Sequence, residues 1–330
     1  MKKIFALLLS AALLVTLLAA CGGGNTTDTD TDTQESAADA STTQVEEQEP
    51  DTGDASKDDP LNQDEIGEKE LLVVSFGTSY NDSRRETIGA IEKAMQTAFP
   101  DYSVRRAFTS QIIIDHVKDR DGVTIDNVEQ ALERAVNNGV KTLVVQPTHL
   151  MNGLEYEELT DELAKYSDSF EKIAIGDPLL TSDADFEAVM TAITDATKDA
   201  ADGKTAICFM GHGTTADSNS VYSKMQTLLT DKGFNDYYVG TVEATPSLDD
   251  VLAAVQKGSY EKVVLRPLMI VAGDHANNDM AGDEDDSWKS TFEKAGYTVD
   301  CQVEGLGQLE AIQQLFVEHA KAAVASAEAE

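Results

Sequence analysis

The chain has 330 residues, which is long enough for two domains of ordinary size. Its 60 acidic and 25 basic side chains give a formal net charge of −35. Nucleic-acid binding needs a basic face. This composition supplies none, so nucleic acid is excluded as a partner.

The first 20 residues have the form of a secretory signal peptide. A positive start, Met1-Lys2-Lys3, precedes an uncharged apolar run over residues 4–20. Leu18-Ala19-Ala20-Cys21 then resembles the bacterial lipobox, in which the Cys is lipidated and becomes the new N-terminus. An uncleaved membrane helix is the alternative, but the run is at the short end for crossing a bilayer. We expect an exported protein, anchored through Cys21 on the extracytoplasmic face of a membrane.

An acidic, low-complexity segment covers residues 21–67. It consists mainly of Thr, Asp, Glu, Ser and Ala, with almost nothing apolar. Such a segment cannot bury enough surface to offset its chain entropy. We interpret it as a disordered, self-repelling tether, and we expect the folded part to begin near Glu68.

Apolar runs of strand length then alternate with segments of helical periodicity. In the first half, the predicted strands are residues 71–76, 102–109, 140–147 and 172–176. The predicted helices are residues 84–99, 111–120, 127–138, a segment from about 154, and 182–199. In the second half, the predicted strands are residues 205–210, 237–242, 262–271 and 297–303, and the predicted helices are 220–232, 247–256, 287–295 and 308–324.

The two halves can be aligned as an internal repeat. Three pairs of segments match: Phe76-Gly77-Thr78 with His212-Gly213-Thr214, residues 107–110 with 243–246, and Pro147 and Gly153 with Pro267 and Gly273. Because the order of elements is also shared, we predict an α/β fold of two similar lobes. Each lobe, residues 68–200 and 201–330, is a parallel sheet flanked by helices, and a cleft lies between them.

Three polar residues follow predicted strands of the second lobe: His212, Glu243 and His275. Ligands of open α/β sheets bind beyond the carboxyl ends of the strands. Two imidazoles and a carboxylate on one rim suit a divalent transition metal. A single His at a strand end is more often a structural hydrogen-bonder, but three such residues in one lobe favour a functional triad.

Other polar residues leave alternatives open. His149, in the equivalent loop of the first lobe, either reaches across the cleft or caps its strand. The Arg105-Arg106 pair either binds carboxylates of an anionic ligand or is simply solvated. The acidic loop over residues 274–286 does not have the spacing of an EF-hand. Its last part, residues 283–286, is interpreted as solvated. Whether Cys208, in an apolar run, pairs with Cys301 is also open.

Five motifs carry a family resemblance: VVSFGTSY at 73–80, RAFTS at 106–110, QPTHLMNG at 146–153, MGHGT at 210–214 and LMIVAGDHANNDMAGDEDDSW at 268–288. They resemble the anaerobic, class II cobalt chelatases, lyases that insert Co²⁺ into sirohydrochlorin on the route to cobalamin. The resemblance covers about residues 71–319. It implies a tetrapyrrole cleft between two α/β lobes, metal ligands at His212, Glu243 and His275, and His212 as proton acceptor.

The chemistry agrees with these residues. Neutral imidazoles and one carboxylate hold a borderline divalent metal, and a His takes up protons near neutral pH. Co²⁺ is the expected substrate metal, with Fe²⁺ or Ni²⁺ as alternatives, and no nucleotide or redox cofactor is needed. We also expect tetrapyrrole contacts from Ser79, His149 and Arg106.

Export is unusual for this family, because cobalamin precursors are made in the cytoplasm. The alternative function is therefore an extracytoplasmic lipoprotein that binds a tetrapyrrole, haem or metal without chelatase turnover. A homo-oligomer is also compatible with the sequence.

Overall fold

Two four-stranded parallel sheets form the centre of the fold in the computed structural model, which describes residues 51–64 and 66–329. The predicted signal peptide, Cys21 and the tether as far as residue 50 lie outside the described residues. Within the described part of the chain, no helix is both long enough and apolar enough to span a membrane.

The first sheet has the strand order β2-β1-β3-β4. Its strands are β1 (Lys69–Ser75), β2 (Ser103–Phe108), β3 (Thr142–Pro147) and β4 (Lys172–Ile175). The first five helices are α1 (Asn81–Glu86), α2 (Ile88–Ala98), α3 (Gln111–Asp121), α4 (Val128–Asn137) and α5 (Leu154–Ala164). The central strand β1 is buried after its first residue, as expected for a parallel strand covered on both faces.

The second sheet repeats this arrangement in the order β6-β5-β7-β8. Its strands are β5 (Thr205–Gly211), β6 (Tyr237–Thr241), β7 (Lys262–Pro267) and β8 (Thr298–Cys301). The remaining helices are α6 (Asp183–Thr197), α7 (Ser220–Asp231), α8 (Leu248–Val255), α9 (Trp288–Lys294) and α10 (Glu310–Ala329). The predicted fold class, two similar α/β lobes, is confirmed.

The lobes exchange one helix each, so a boundary at residue 200 separates the two sheets but not the helices that pack on them. The C-terminal helix α10 packs on β3 and β4 of the first sheet, and Lys172 Nζ donates to the Ala327 carbonyl at 2.8 Å. Helix α6 instead packs against α7 of the second lobe, with Thr197 Oγ1 3.1 Å from the Tyr237 hydroxyl. One apolar core therefore runs through both lobes.

Residues 51–64, which we call the strap, fold onto the first lobe. The predicted tether is therefore too long at its C-terminal end. Leu61 is buried in the core, and its carbonyl accepts from Arg105 Nε at 2.8 Å and from the Arg106 backbone N–H at 3.2 Å. The Asp58 side chain is 3% exposed and pairs with Arg84 and Arg106. The strap thus covers the outer edge of β2, where unpaired backbone groups would otherwise be open.

Two elements differ locally from the predictions. The helix predicted over residues 84–99 is broken at Thr87, which ends α1 and begins α2. The strand predicted over residues 262–271 ends at Pro267, and its apolar continuation is a loop whose Leu268 N–H donates to the Met210 carbonyl at 2.7 Å. Beyond that loop, Ala276–Met280 forms a π-helix that was not predicted.

The two described cysteines are free. Cys208 on β5 and Cys301 on β8 both lie level with Leu265 of β7, which separates them. Two strand spacings are about 9–10 Å, beyond the Cα separation of about 7 Å that a disulfide tolerates. The alternative of a Cys208–Cys301 disulfide is therefore set aside.

Candidate metal centre between the lobes

The three residues predicted as metal ligands come together at the carboxyl edge of the second sheet. His212 directly follows β5, Glu243 lies two residues beyond β6, and His275 follows the loop after β7. One donor atom from each lies within 4.8 Å of the other two. The imidazole centroids are 4.7 Å apart, at an interplanar angle of 81°. Three donors in this arrangement leave coordination positions open, as catalytic metal sites do.

Two glycines place His212 at the end of β5. A Cβ on Gly211 would lie 2.1 Å from the Tyr222 ring, and Gly213 has a positive φ of 89°. His212 Nδ1 lies 2.8 Å from the Gly213 carbonyl. A carbonyl oxygen only accepts hydrogen bonds, so Nδ1 carries the proton. Nε2 therefore has the free electron pair that can bind a metal.

Glu243 is fixed by its backbone and free at its carboxylate. Its N–H donates to the His212 carbonyl at 3.0 Å, while its side chain is 57% exposed. The carboxylate Oε2 lies 4.0 Å from His212 Nδ1. This distance is too long for a hydrogen bond, so the carboxylate is available to a metal.

The sheet register gives the corresponding positions in the first lobe. Ser75 lies level with Phe108 in the first sheet, as Gly211 does with Thr241 in the second. The Ser110 N–H donates to the Phe76 carbonyl, as Glu243 does to His212. Ser110 therefore corresponds to Glu243, which corrects the sequence alignment of Ala107 with Glu243. The correspondence of Phe76 with His212 is retained.

The carboxyl edge of the first sheet carries exposed apolar side chains. We call Phe76, Ile112 and Leu154 the apolar edge; they are 47%, 81% and 57% exposed. They follow β1, β2 and β3, three neighbouring strands. All three follow the carboxyl ends of strands, the edge at which ligands of open α/β sheets bind. This surface was not predicted from the sequence.

Glu155, in the first turn of α5, occupies the position that corresponds to His275 in the repeat. Burial raises the pKa of this carboxyl, and the positive form of nearby His212 opposes the rise. Glu155 therefore brings an acid–base group from the first lobe to the metal triad. The repeat places it opposite His275, but we did not predict it as a site residue.

His149 lies beside Glu155 and is buried. Its Nε2 is 3.8 Å from Glu155 Oε2, and neither ring nitrogen has a hydrogen-bond partner among the described residues. Burial lowers the pKa of His149 to about 4. Although the carboxylate would favour a charged ring, no hydrogen bond joins the two groups, so burial decides and the ring is neutral. With 7% of its surface exposed, His149 has little surface to offer a tetrapyrrole, and the expected contact stays a prediction.

The other two residues predicted to contact the tetrapyrrole, Ser79 and Arg106, lie in different environments. Ser79 is half-buried in the loop after β1, and its carbonyl accepts from Arg120 at 2.6 Å. Arg106 is 1% exposed, and its guanidinium is paired with Glu92 at 2.6 Å and Asp58 at 2.7 Å. The expected contact from Arg106 is therefore corrected, because its charge is used inside the first lobe.

Fold and site together define the class II chelatases, two-lobed α/β proteins with a metal-ligand set beside an interlobe cleft. SirB from Bacillus subtilis, solved with Fe³⁺, has a similar fold, with a TM-score of 0.57 over 80% of this chain and 98% of that one. At 14% identity, this likeness concerns the fold alone.

The chain belongs to the cobalt chelatase (CbiK) family, which matches residues 69–325. It is 38% identical over 251 residues to the sirohydrochlorin cobaltochelatase of Salmonella typhimurium, covering 76% of this chain and 94% of that one. It is 30% identical over 260 residues to the sirohydrochlorin cobaltochelatase CbiKC of Nitratidesulfovibrio vulgaris, covering 78% and 91%. The strap precedes the family match.

Proposed function

We propose that the chain is a sirohydrochlorin cobaltochelatase, which inserts Co²⁺ into the tetrapyrrole and releases two protons. The observation that carries this proposal is the cluster of His212, Glu243 and His275 in a chain of the cobalt chelatase family. The apolar edge supports it, because a flat macrocycle needs an apolar surface on the opposite lobe.

The donor set suits a metal that must be passed on. Two neutral imidazoles and one carboxylate bind borderline divalent metals. Three protein ligands leave other coordination positions of the metal to water. The pyrrole nitrogens can replace this water first and the three protein ligands afterwards. Co²⁺ is the proposed substrate metal; Fe²⁺ and Ni²⁺ suit the same donors, and a competition assay between the three metals orders them.

Metal insertion also requires acceptors for two pyrrole N–H protons. His212 is one, through Nε2 once that nitrogen has released the metal, since Nδ1 already carries a proton. Glu155 is a second, because burial raises the pKa of its carboxyl and a carboxylate with a raised pKa is a stronger base. The two groups come from opposite lobes, so protons can leave on either side of a macrocycle bound between them.

The test is anaerobic insertion by the purified full chain. Sirohydrochlorin and Co²⁺ are mixed with and without the protein, and the absorption spectrum is followed over time. Formation of the cobalt product faster than in the protein-free control is the expected result. Equal rates with and without protein would overturn the proposal.

We further propose that the protein is exported and anchored in the membrane through a lipidated Cys21. The support is the basic start, the apolar run and the Leu-Ala-Ala-Cys sequence in residues 1–21. Incorporation of a radiolabelled fatty acid, lost in Cys21→Ser, is expected. Unchanged labelling in that variant would contradict the anchor.

This export signal favours one alternative function, a lipoprotein that binds a tetrapyrrole, haem or metal without turnover. A spectral shift on adding sirohydrochlorin or haem, with no accelerated insertion, would support the alternative. Light scattering on the same sample would show whether the chain forms a homo-oligomer.

A further inference from the structure

We propose that Asp279 is a positioning residue for His275, and that its carboxylate holds the imidazole with Nε2 turned towards the metal. The proposal rests on the metal-binding role proposed for His275. It deepens that role by assigning a function to a residue of the acidic loop to which the sequence analysis gave none.

The geometry of the pair fixes the tautomer of the ring. His275 Nδ1 lies 2.8 Å from Asp279 Oδ2. An ionised carboxylate only accepts hydrogen bonds, so Nδ1 carries the proton and the lone pair is on Nε2. Metal-binding histidines commonly donate their other ring N–H to such an acceptor. Both side chains remain partly exposed, at 34% and 43%.

The local backbone explains why the two side chains meet. Ala276–Met280 is a π-helix, a wide turn that often occurs at functional sites. Ala276 and Met280, four residues apart, are fully buried in the core of the second lobe. The burial of these two side chains fixes which face of the π-helix points towards the core. His275 and Asp279 each precede one of these buried residues and therefore share the adjacent, partly exposed face.

The two histidines of the site are held by different acceptors. The ring of His212 donates to the neutral Gly213 carbonyl, whereas the ring of His275 donates to a charged carboxylate, both at 2.8 Å. A carboxylate acceptor makes the other ring nitrogen a better electron-pair donor. His275 is therefore the stronger metal ligand of the two.

Three substitutions separate the charge of Asp279 from its hydrogen bond. Asp279→Asn keeps an acceptor but removes the charge, Asp279→Ala removes both, and Asp279→Glu restores both on a longer side chain. Asp283→Asn is the matched control, because Asp283 belongs to the same acidic loop, is 93% exposed and pairs with Lys289. Each variant of the full chain is titrated with Co²⁺ while the visible absorption of the bound ion is recorded, and its melting temperature is measured.

We expect Asp279→Ala to weaken Co²⁺ binding by about 10- to 100-fold, Asp279→Asn to weaken it less, and Asp279→Glu to recover most of the loss. The control should bind as the wild type does, and all variants should melt alike. A Co²⁺ affinity of Asp279→Ala within about twofold of wild type would overturn the proposal. So would an equal loss in the Ala and Glu variants accompanied by lower melting temperatures, because that pattern indicates a structural role.

The same titration distinguishes failure of this inference from failure of the metal site. If His275→Ala binds Co²⁺ as tightly as the wild type, the proposed metal site is wrong and the role of Asp279 falls with it. If His275→Ala loses binding while Asp279→Ala does not, the metal site is retained and only the positioning role is rejected.

Discussion

The two lobes share one backbone plan and differ in the chemistry at one edge. Both sheets have the same strand order, and the glycines after β1 and β5, Gly77 and Gly213, have similar positive φ angles of 101° and 89°. At the matched position before these glycines, one lobe has Phe76 and the other His212. Because the loops are built alike, the side chains alone decide what each edge can bind.

We infer from this difference that the two similar lobes divide the proposed reaction between them. The second lobe has all three proposed metal ligands, while the first has the apolar edge and one carboxyl group, Glu155. A reaction that brings a cation to a flat apolar ring needs both surfaces to face each other. Substitutions in each lobe test whether the second lobe binds the metal and the first binds the macrocycle.

The largest effect is expected from His212→Ala, which removes a proposed metal ligand and the proposed proton acceptor together. The rate of Co²⁺ insertion should fall by about 1000-fold or more, since acid–base groups alone contribute about 100- to 10,000-fold. The rate is measured from the absorption of the cobalt product.

His116→Ala is the matched control for His212→Ala, because His116 is exposed on α3, outside the site. It should retain the wild-type rate. If His212→Ala also retained that rate, the assignment of metal chemistry to the second lobe would be wrong.

A second prediction concerns the strap, which packs on the first lobe. Asp58→Ala leaves Arg106 paired with Glu92 but removes the carboxylate that pairs with the buried Arg84. Breaking a buried ion pair costs about 3 kcal/mol or more. The free energy of unfolding in urea should fall by about this amount. A chain that begins at residue 69, where the family match begins, should lose at least as much.

Asp64→Ala is the control for the strap. Asp64 also pairs with an arginine, Arg134, but its side chain is 64% exposed, and exposed pairs contribute little. Its loss should therefore be below about 1 kcal/mol. Equal losses in the two variants would show that the burial of Asp58 has no special effect.

The strap also shows where the sequence stops being informative. Strands, helices and the convergence of His212, Glu243 and His275 were predictable, because apolar periodicity places each element and parallel strands bring their carboxyl ends to one edge. The strap has the composition of a disordered tether, and its contacts are with residues distant in sequence. Leu61 packs in the apolar core, and Asp58 pairs with two arginines. The role of Arg106 was mispredicted for the same reason, since nothing near it in sequence indicates Glu92 or Asp58 as partners.

The packing of α6 on the second lobe and of α10 on the first was also not predictable from the sequence. Both helices have an apolar face, and periodicity shows that a face is buried but not against which sheet. The π-helix at Ala276–Met280 was also missed, because its residues are polar on one side and few in number.

A third prediction concerns the buried, neutral ring of His149. In the alignment of the two halves, the second lobe has Met269 at this position, so the ring belongs to the first lobe alone. Its pKa falls from 6.5 in the unfolded chain to about 4 in the folded protein. The unfolded chain therefore binds the proton first as the pH falls. The stabilisation due to the neutral ring is complete above pH 6.5 and is lost as the pH falls towards 4. Between pH 7 and 5 the loss should be about 2 kcal/mol.

The measurement for His149 is urea unfolding of wild type and His149→Gln at both pH values. Glutamine has no titrating group, so the variant should lose about 2 kcal/mol less than the wild type over this range. The same pH dependence in both proteins would show that His149 is not the group that titrates.

The smallest effect is expected from Phe76→Ala on the apolar edge. Removing the ring takes away apolar surface that a bound macrocycle would cover, at a cost of about 1 kcal/mol, or about a fivefold rise in the KM for sirohydrochlorin. The affinity for Co²⁺ should not change, because all three proposed metal ligands are on the other lobe. Val136→Ala, on the exposed face of α4, is the control and should leave both quantities unchanged. A Phe76→Ala variant with weakened Co²⁺ binding and an unaltered sirohydrochlorin KM would reverse the proposed division between the lobes, and steady-state kinetics with each substrate varied in turn decides between the two results.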